Sequence, residues 1–156
     1  MSEEKPSTPS PRRGNNRKHG ATAVRGPILI VDDNPDDAKL AQRAFERVNP
    51  HCTVTMVASG TALVEYLKEL DVSKSAASIP SLILLDLKMP EMDGFAILEW
   101  MAKHPYLASI PVIVLSTFDD LHHIRQAYSL GARSYLLKPI NPQPLRDALQ
   151  SLNIAV

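Results

Sequence analysis

Five positions in this chain carry side chains that can act together on a charged substrate: Asp32, Asp33, Asp86, Ser116 and Lys138. Asp32, Asp86, Ser116 and Lys138 each stand directly after a short apolar run, namely Ile28–Val31, Leu82–Leu85, Val112–Leu115 and Tyr135–Leu137. One Asp after an apolar run is ordinary turn punctuation. Four runs ending in complementary groups form a pattern. Brought together, three carboxylates repel, by about 3 kcal/mol per pair at about 5 Å and an effective dielectric near 20. A cation would relieve that. Oxygen ligands in an open site suit Mg²⁺, which keeps several waters and takes one or two carboxylates. No His or Cys joins the cluster, which argues against zinc. A divalent ion, a lysine and a hydroxyl beside a carboxylate are equipment for phosphoryl transfer, with the carboxylate as nucleophile.

Convergence depends on the elements that carry these residues. The apolar runs, together with Thr53–Val57, are mostly continuous rather than alternating, as in strands buried on both faces of a parallel sheet. Between them lie five stretches of helical period, with apolar stripes at spacings of three and four. The first carries Ala41, Ala44, Phe45 and Val48; the second Ala62, Leu63, Tyr66, Leu67 and Leu70; the third Phe95, Leu98 and Met101. The fourth carries Leu121, Ile124, Ala127 and Tyr128, and the fifth Leu145, Ala148, Leu149 and Leu152. The first opens cleanly: Asn34 caps, Pro35 suits the first turn, and Asp36 and Asp37 oppose the helix dipole. Five strand-then-helix repeats predict an α/β fold with a five-stranded parallel sheet. Right-handed crossovers place every strand's carboxyl end on one edge, and ligands bind outside that edge. About 130 residues suit a doubly wound sheet and fall short of an eight-fold barrel, which needs about 200. The polar stretch 71–80 reads as a loop.

Composition bounds the rest. The 156 residues are 44% hydrophobic and 22% charged, with zero net charge, which excludes a uniformly basic nucleic-acid binder. No apolar run is long enough to span a bilayer, and the first thirty residues hold no signal-like apolar core. Cys52 is the one cysteine, so no intramolecular disulfide forms. These features predict a cytoplasmic protein. The charge is uneven: residues 1–26 hold six basic side chains (Lys5, Arg12, Arg13, Arg17, Lys18, Arg25) against Glu3 and Glu4. That stretch has no apolar periodicity and several prolines, so it reads as a disordered basic tail. It is either a solvated leader or a tether to an acidic surface. Residues 27–156 form the folded domain.

With these residues placed, the sequence resembles the receiver domain of two-component response regulators, the CheY-like family. The resemblance covers about residues 27–153. It rests on Ile30-Val31-Asp32-Asp33-Asn34-Pro35, on Leu84-Leu85-Asp86-Leu87-Lys88-Met89-Pro90-Glu91-Met92-Asp93-Gly94, on Val114-Leu115-Ser116, and on Gly131-Ala132 with Tyr135 and Lys138-Pro139. It implies a flavodoxin-like (βα)5 fold with strand order 2-1-3-4-5. It implies Asp86 as phosphoacceptor, with Mg²⁺ held by Asp33, Asp86 and the Lys88 backbone carbonyl, and by Asp32 through water. Lys138 would contact the phosphoryl group, on a Lys138–Pro139 bond that is typically cis in the family. Ser116 would be the switch hydroxyl and Tyr135 the aromatic that turns with it.

The resemblance also implies partners. A sensor histidine kinase or histidine phosphotransfer protein would donate the phosphoryl group, and the chain would catalyse only transfer onto itself, so it is not an enzyme in the usual sense. Few residues follow Leu152, so no DNA-binding output domain is expected, and the signal would leave by protein contact, homodimerisation or onward relay. The Asp33-Asn34-Pro35-Asp36-Asp37 start and the long loop at 71–80 look like small response regulators paired with phytochrome-type and other sensor kinases. The alternatives are a receiver-derived scaffold that works without phosphorylation, and a haloacid-dehalogenase-like phosphatase. The latter wants a second Asp two residues after the nucleophile, where this chain has Lys88. His122 and His123, adjacent on a helix, read as solvated or partner-facing rather than as a metal pair. Glu91 and Asp93 are expected to shape the loop after the acceptor.

Overall fold

The computed structural model describes residues 26–73 and 79–154. The predicted tail, through residue 25, and the middle of the predicted 71–80 loop lie outside the described residues. In chain order the elements are β1 (Ile28–Val31), α1 (Pro35–Val48), β2 (Val54–Val57), α2 (Gly60–Ser73), β3 (Leu82–Asp86), α3 (Gly94–Ala102), α4 (Pro105–Ala108), β4 (Val112–Ser116), α5 (Leu121–Ser129), β5 (Ser134–Leu137) and α6 (Pro142–Ser151). The strands form one sheet in the order β2-β1-β3-β4-β5, parallel throughout. This is the doubly wound (βα)5 architecture expected from the alternation.

The two sheet faces are read directly from alternate residues of the central strands. Ile28, Ile30, Leu82, Leu84, Ile113 and Leu115 point to one side, where α1 and α6 cover them with Ala41, Phe45, Leu145 and Leu149. Leu29, Val31, Ile83, Leu85, Val112 and Val114 point to the other, under Leu63 and Leu67 of α2 and Ile97, Leu98 and Met101 of α3. β1, β3 and β4 are buried along their whole length, which explains why their sequences are continuous apolar runs. The edge strands β2 and β5 are only partly covered. Phe45 is wholly buried between α1 and the sheet; truncation to Ala would cost about 3–5 kcal/mol.

Four expectations need correction. A short sixth helix, α4, stands where none was foreseen; four residues with one buried side chain, Leu107, are too few to show a period. α2 runs to Ser73, three residues into the stretch read as loop. Ala62, placed in the buried stripe of α2, is exposed. On α5, Leu121 and Tyr128 are exposed rather than buried, Leu121 at 62%. That helix lies over an edge strand, so only the stripe through Ala127 reaches the core.

Register positions the chemistry. Val31 pairs with Leu85, so Asp32 and Asp86 emerge side by side at the same sheet edge. Asp86 pairs with Leu115 and Ser116 with Leu137, so Ser116 and Lys138 emerge next to them. Behind Asp86 the chain folds back: the Gly94 N–H donates to the Leu87 carbonyl at 2.9 Å. A Cβ on Gly94 would stand 2.8 Å from the Asp86 carbonyl oxygen, so only glycine allows this approach. Among the described residues no helix is long and apolar enough to cross a membrane.

Candidate functional site

Asp32, Asp86 and Ser116 are the buried polar side chains among the described residues, at 5%, 6% and 1% exposure. Asp33, by contrast, faces solvent. One carboxylate oxygen from each of Asp32, Asp33 and Asp86 lies within 4.8 Å of the others. The predicted cluster therefore assembles.

Lys138 closes it. Its Nζ donates to Asp32 Oδ2 at 2.8 Å and to Asp37 Oδ2 at 3.1 Å, and stands 3.2 Å from Asp86 Oδ1. The Lys138–Pro139 peptide is cis. Burial opposes the lysine's charge, but the bond to Asp32, the charges of Asp86 and Asp32 and the bond to Asp37 outweigh it, so its pKa lies above the ordinary lysine value. The carboxyl of Asp86 moves the other way, up to about 6. Burial is the main cause and the Asp32 charge the second; Lys138 and the Lys88 backbone N–H oppose them.

Without a cation the site is thus short of positive charge: four carboxylates, with Asp37 included, meet one ammonium. The donor set is all oxygen and partly open to solvent at Asp33. Octahedral ligands at about 2.0–2.1 Å from Mg²⁺ lie about 3–4 Å apart. A spread of up to 4.8 Å fits one or two direct carboxylates with the third acting through water. The residues present fit a hard divalent ion.

At the other side of the site the switch candidates are joined through the Phe118 backbone. The Phe118 N–H donates to Ser116 Oγ at 3.0 Å, and the Tyr135 hydroxyl donates to the Phe118 carbonyl at 2.8 Å. The phenol is half-buried, which raises its pKa, and the Ser116 hydroxyl bonded to it works against that rise. The Phe118 backbone thus links Ser116 and Tyr135 through two hydrogen bonds.

Sequence reasoning missed two features. Asp37 appeared only as a helix-dipole residue, yet it bonds to the site lysine. His123, expected to be solvated, stacks on Phe118 with centroids 4.2 Å apart and planes at 15°, and lies 6.0 Å from Phe95 of α3. Its Nδ1 is 2.7 Å from Asp120 Oδ1, and Asp120 also caps α5 by accepting the His123 N–H. Lys88 Nζ stands 5.9 Å from the Phe118 ring centre. Phe118 therefore meets both His123 and Lys88 at the rim of the site. His122 is exposed, as expected.

Comparison with known proteins agrees with this geometry. Residues 28–150 match the model of the response regulator receiver domain. The chain is 34% identical over 125 residues to the probable methanogenesis regulatory protein FilR2 of Methanothrix harundinacea, covering 80% of this chain and 79% of that protein. It is similar to the crystal structure of the phosphorylated cyanobacterial phytochrome response regulator RcpA, with a TM-score of 0.66 at 32% identity, covering 83% of this chain and 91% of that one. It is also similar to the Mn²⁺-bound form of response regulator Rcp1, with a TM-score of 0.65 at 30% identity, covering 81% and 91%; Rcp1 is from Synechocystis sp..

Proposed function

The chain belongs to the response regulator receiver domain family, and from that membership and the setting of Asp86 we propose that it accepts a phosphoryl group on Asp86 from a phosphohistidine of a partner kinase or phosphotransfer protein. The observation that carries this reading is the environment of that one carboxylate: buried, beside Asp32, with the Lys138 ammonium 3.2 Å away and Asp33 at the open side. An Asp86 oxygen attacks phosphorus, the phosphorus–nitrogen bond breaks, and the imidazole leaves with the bonding pair. Lys138 stabilises charge on the phosphoryl oxygens, and its position above the acceptor fixes which Asp86 oxygen is left to react.

Mg²⁺ is the proposed cofactor; when bound it would supply the positive charge the site lacks, held by Asp33, Asp86 and the Lys88 carbonyl, with Asp32 acting through water. The Mn²⁺-bound form of Rcp1 supports a divalent ion at this site, and the phosphorylated RcpA supports acceptance of a phosphoryl group. Ser116 is the residue that answers the new charge. Its hydroxyl proton would turn to a phosphoryl oxygen. Tyr135 and the loop through Phe118 would then resettle, changing the surface near α5 where Leu121, His122 and Arg125 are exposed. That surface meets the downstream partner or a second copy of the chain.

The test is the intact mass of the full chain after incubation with acetyl phosphate and Mg²⁺. Gain of one phosphoryl group, absent in Asp86→Asn, supports the reading. No gain would favour the scaffold that works without phosphorylation, and turnover of a phosphomonoester would favour a phosphatase.

A further inference from the structure

Asp37 stands at the third helical position of α1. An acidic residue there ordinarily folds back to accept the N–H of the capping residue. Here that N–H is already taken: Asn34 N donates to Asp32 Oδ1 at 3.0 Å. Asn34 in turn caps α1 by accepting from Asp36 N at 2.9 Å and Asp37 N at 3.2 Å. The first turn is thereby fixed without help from the Asp37 side chain, which reaches 101 residues along the chain to Lys138.

An ammonium has three N–H donors in tetrahedral array. Lys138 directs one to Asp32 and one to Asp37. With two of them anchored, the direction of the third is set, and Asp86 Oδ1 stands 3.2 Å from Nζ. With Asp32 alone as anchor, the ammonium would be free to turn about that single bond. Asp37 itself is half-exposed, its side chain at 38%. An ion pair so placed adds little to stability, and Asp36 also serves the helix dipole. A structural role leaves the contact unexplained.

We propose that Asp37 is a positioning residue for phosphoryl transfer: its carboxylate, together with Asp32, aims the free N–H of Lys138 at the oxygen of the group arriving on Asp86. The inference rests on the reading of Asp86 as phosphoacceptor. Asp37 does not touch the phosphoryl group and acts only through the lysine.

The experiment follows phosphorylation of the full chain by acetyl phosphate with Mg²⁺ in wild type, Asp37→Asn, Asp37→Glu, Lys138→Ala and the Lys138→Ala/Asp37→Asn double variant. Asp37→Asn keeps the shape and removes the charge; it should slow phosphorylation about three- to tenfold, a modest share of what misplacing a catalytic group can cost. Asp37→Glu, which retains a carboxylate within reach, should recover most of the rate. In the Lys138→Ala background the Asn substitution should change nothing. A wild-type rate in Asp37→Asn, or an equal loss with and without Lys138, overturns the proposal. The Lys138 side-chain ¹⁵N resonance gives a second arm that needs no phosphate. It should be resolved and slow to exchange in wild type and broadened in Asp37→Asn. If wild type takes no phosphoryl group, the acceptor reading falls, and an unchanged resonance in Asp37→Asn would show separately that Asp37 does not hold the ammonium.

Discussion

Replacing Asp86 with Asn should make the metal-free protein more stable at neutral pH. The Asp86 carboxyl is buried, and its pKa rises from 3.8 to about 6, through burial first and the Asp32 charge second. In the unfolded chain it returns to the ordinary value. Between those two values the native state holds more protons than the unfolded state, so stability falls as pH rises through about 6 and is flat above it. The two pKa values imply a loss of about 3 kcal/mol at pH 7.5 and about 1 kcal/mol at pH 4.5. Relaxation of the site and entry of water will reduce these figures, leaving about 1–3 kcal/mol at pH 7.5. Asn matches the neutral acid in shape and never ionises, so the variant escapes the loss, and Lys138 keeps Asp32 and Asp37 as partners. Urea unfolding in EDTA, followed through the fluorescence of Trp100, the one tryptophan, reads the difference at both pH values. A variant no more stable than wild type at pH 7.5, or one whose advantage is the same at pH 4.5, would refute the reasoning. Adding Mg²⁺ should narrow the gap by stabilising wild type more than the variant.

Three further outcomes are expected. Asp33→Ala should weaken Mg²⁺ binding by about tenfold or more, since it removes a charged oxygen ligand; titration followed by amide shifts at Asp32 and Asp86 checks this, and unchanged affinity would remove Asp33 from the ligand set. Ser116→Ala should still accept a phosphoryl group but lose its phosphorylation-dependent change in sedimentation or partner capture. Losing the bond that Ser116 Oγ accepts from the Phe118 N–H should also lower its stability by about 1 kcal/mol, measured by urea unfolding. Phe118→Glu combined with Lys88→Asn should shorten the phosphorylated lifetime, because a carboxylate at the rim can orient an attacking water where an apolar ring cannot; loss of phosphate no faster than in wild type would mean that the rim does not set the lifetime.

The fold was legible where a strand is buried on both faces. Leu82–Leu85 and Val112–Leu115 hold nothing polar, and the switch to helical period after each marks an α/β fold with a parallel sheet, while the strand order came from the resemblance to receiver domains. The strand-end residues were legible for the same reason: once the strands are parallel, the residues that end the runs must share one sheet edge. Legibility failed where local rules already sufficed. Asp36 and Asp37 look alike as first-turn acids, and only the rotation of α1 against the sheet decides that Asp37 meets Lys138. Leu121 and Tyr128 fit a buried stripe by spacing, but an edge strand offers too little surface to bury them. His123 could not be distinguished from its neighbour His122 without the position of the Phe118 ring. The hydrogen-bonded link between Ser116 and Tyr135 depends on the backbone of Phe118, whose N–H and carbonyl are the same for any residue but proline and leave no trace in the sequence.

That backbone is also what gives the proposed switch its size. Turning the Ser116 hydroxyl from a neutral acceptor to a phosphoryl oxygen exchanges a neutral hydrogen bond, about 1 kcal/mol net, for one to a charged acceptor, about 1.5–3 kcal/mol. The gain of about 0.5–2 kcal/mol shifts a two-state equilibrium by roughly 2- to 30-fold. This is enough to bias the loop but short of the roughly 10⁴-fold needed to convert it from almost wholly one state to the other. The Phe118 side chain opposes the change as well, since it is stacked on His123 and His123 is tied to Asp120 at the start of α5. Phosphorylation alone would therefore leave a mixed population. A partner that binds the resettled face near Leu121 and Arg125 would supply the remaining free energy, and by linkage its affinity for the phosphorylated chain would exceed that for the unphosphorylated one by no more than the same factor.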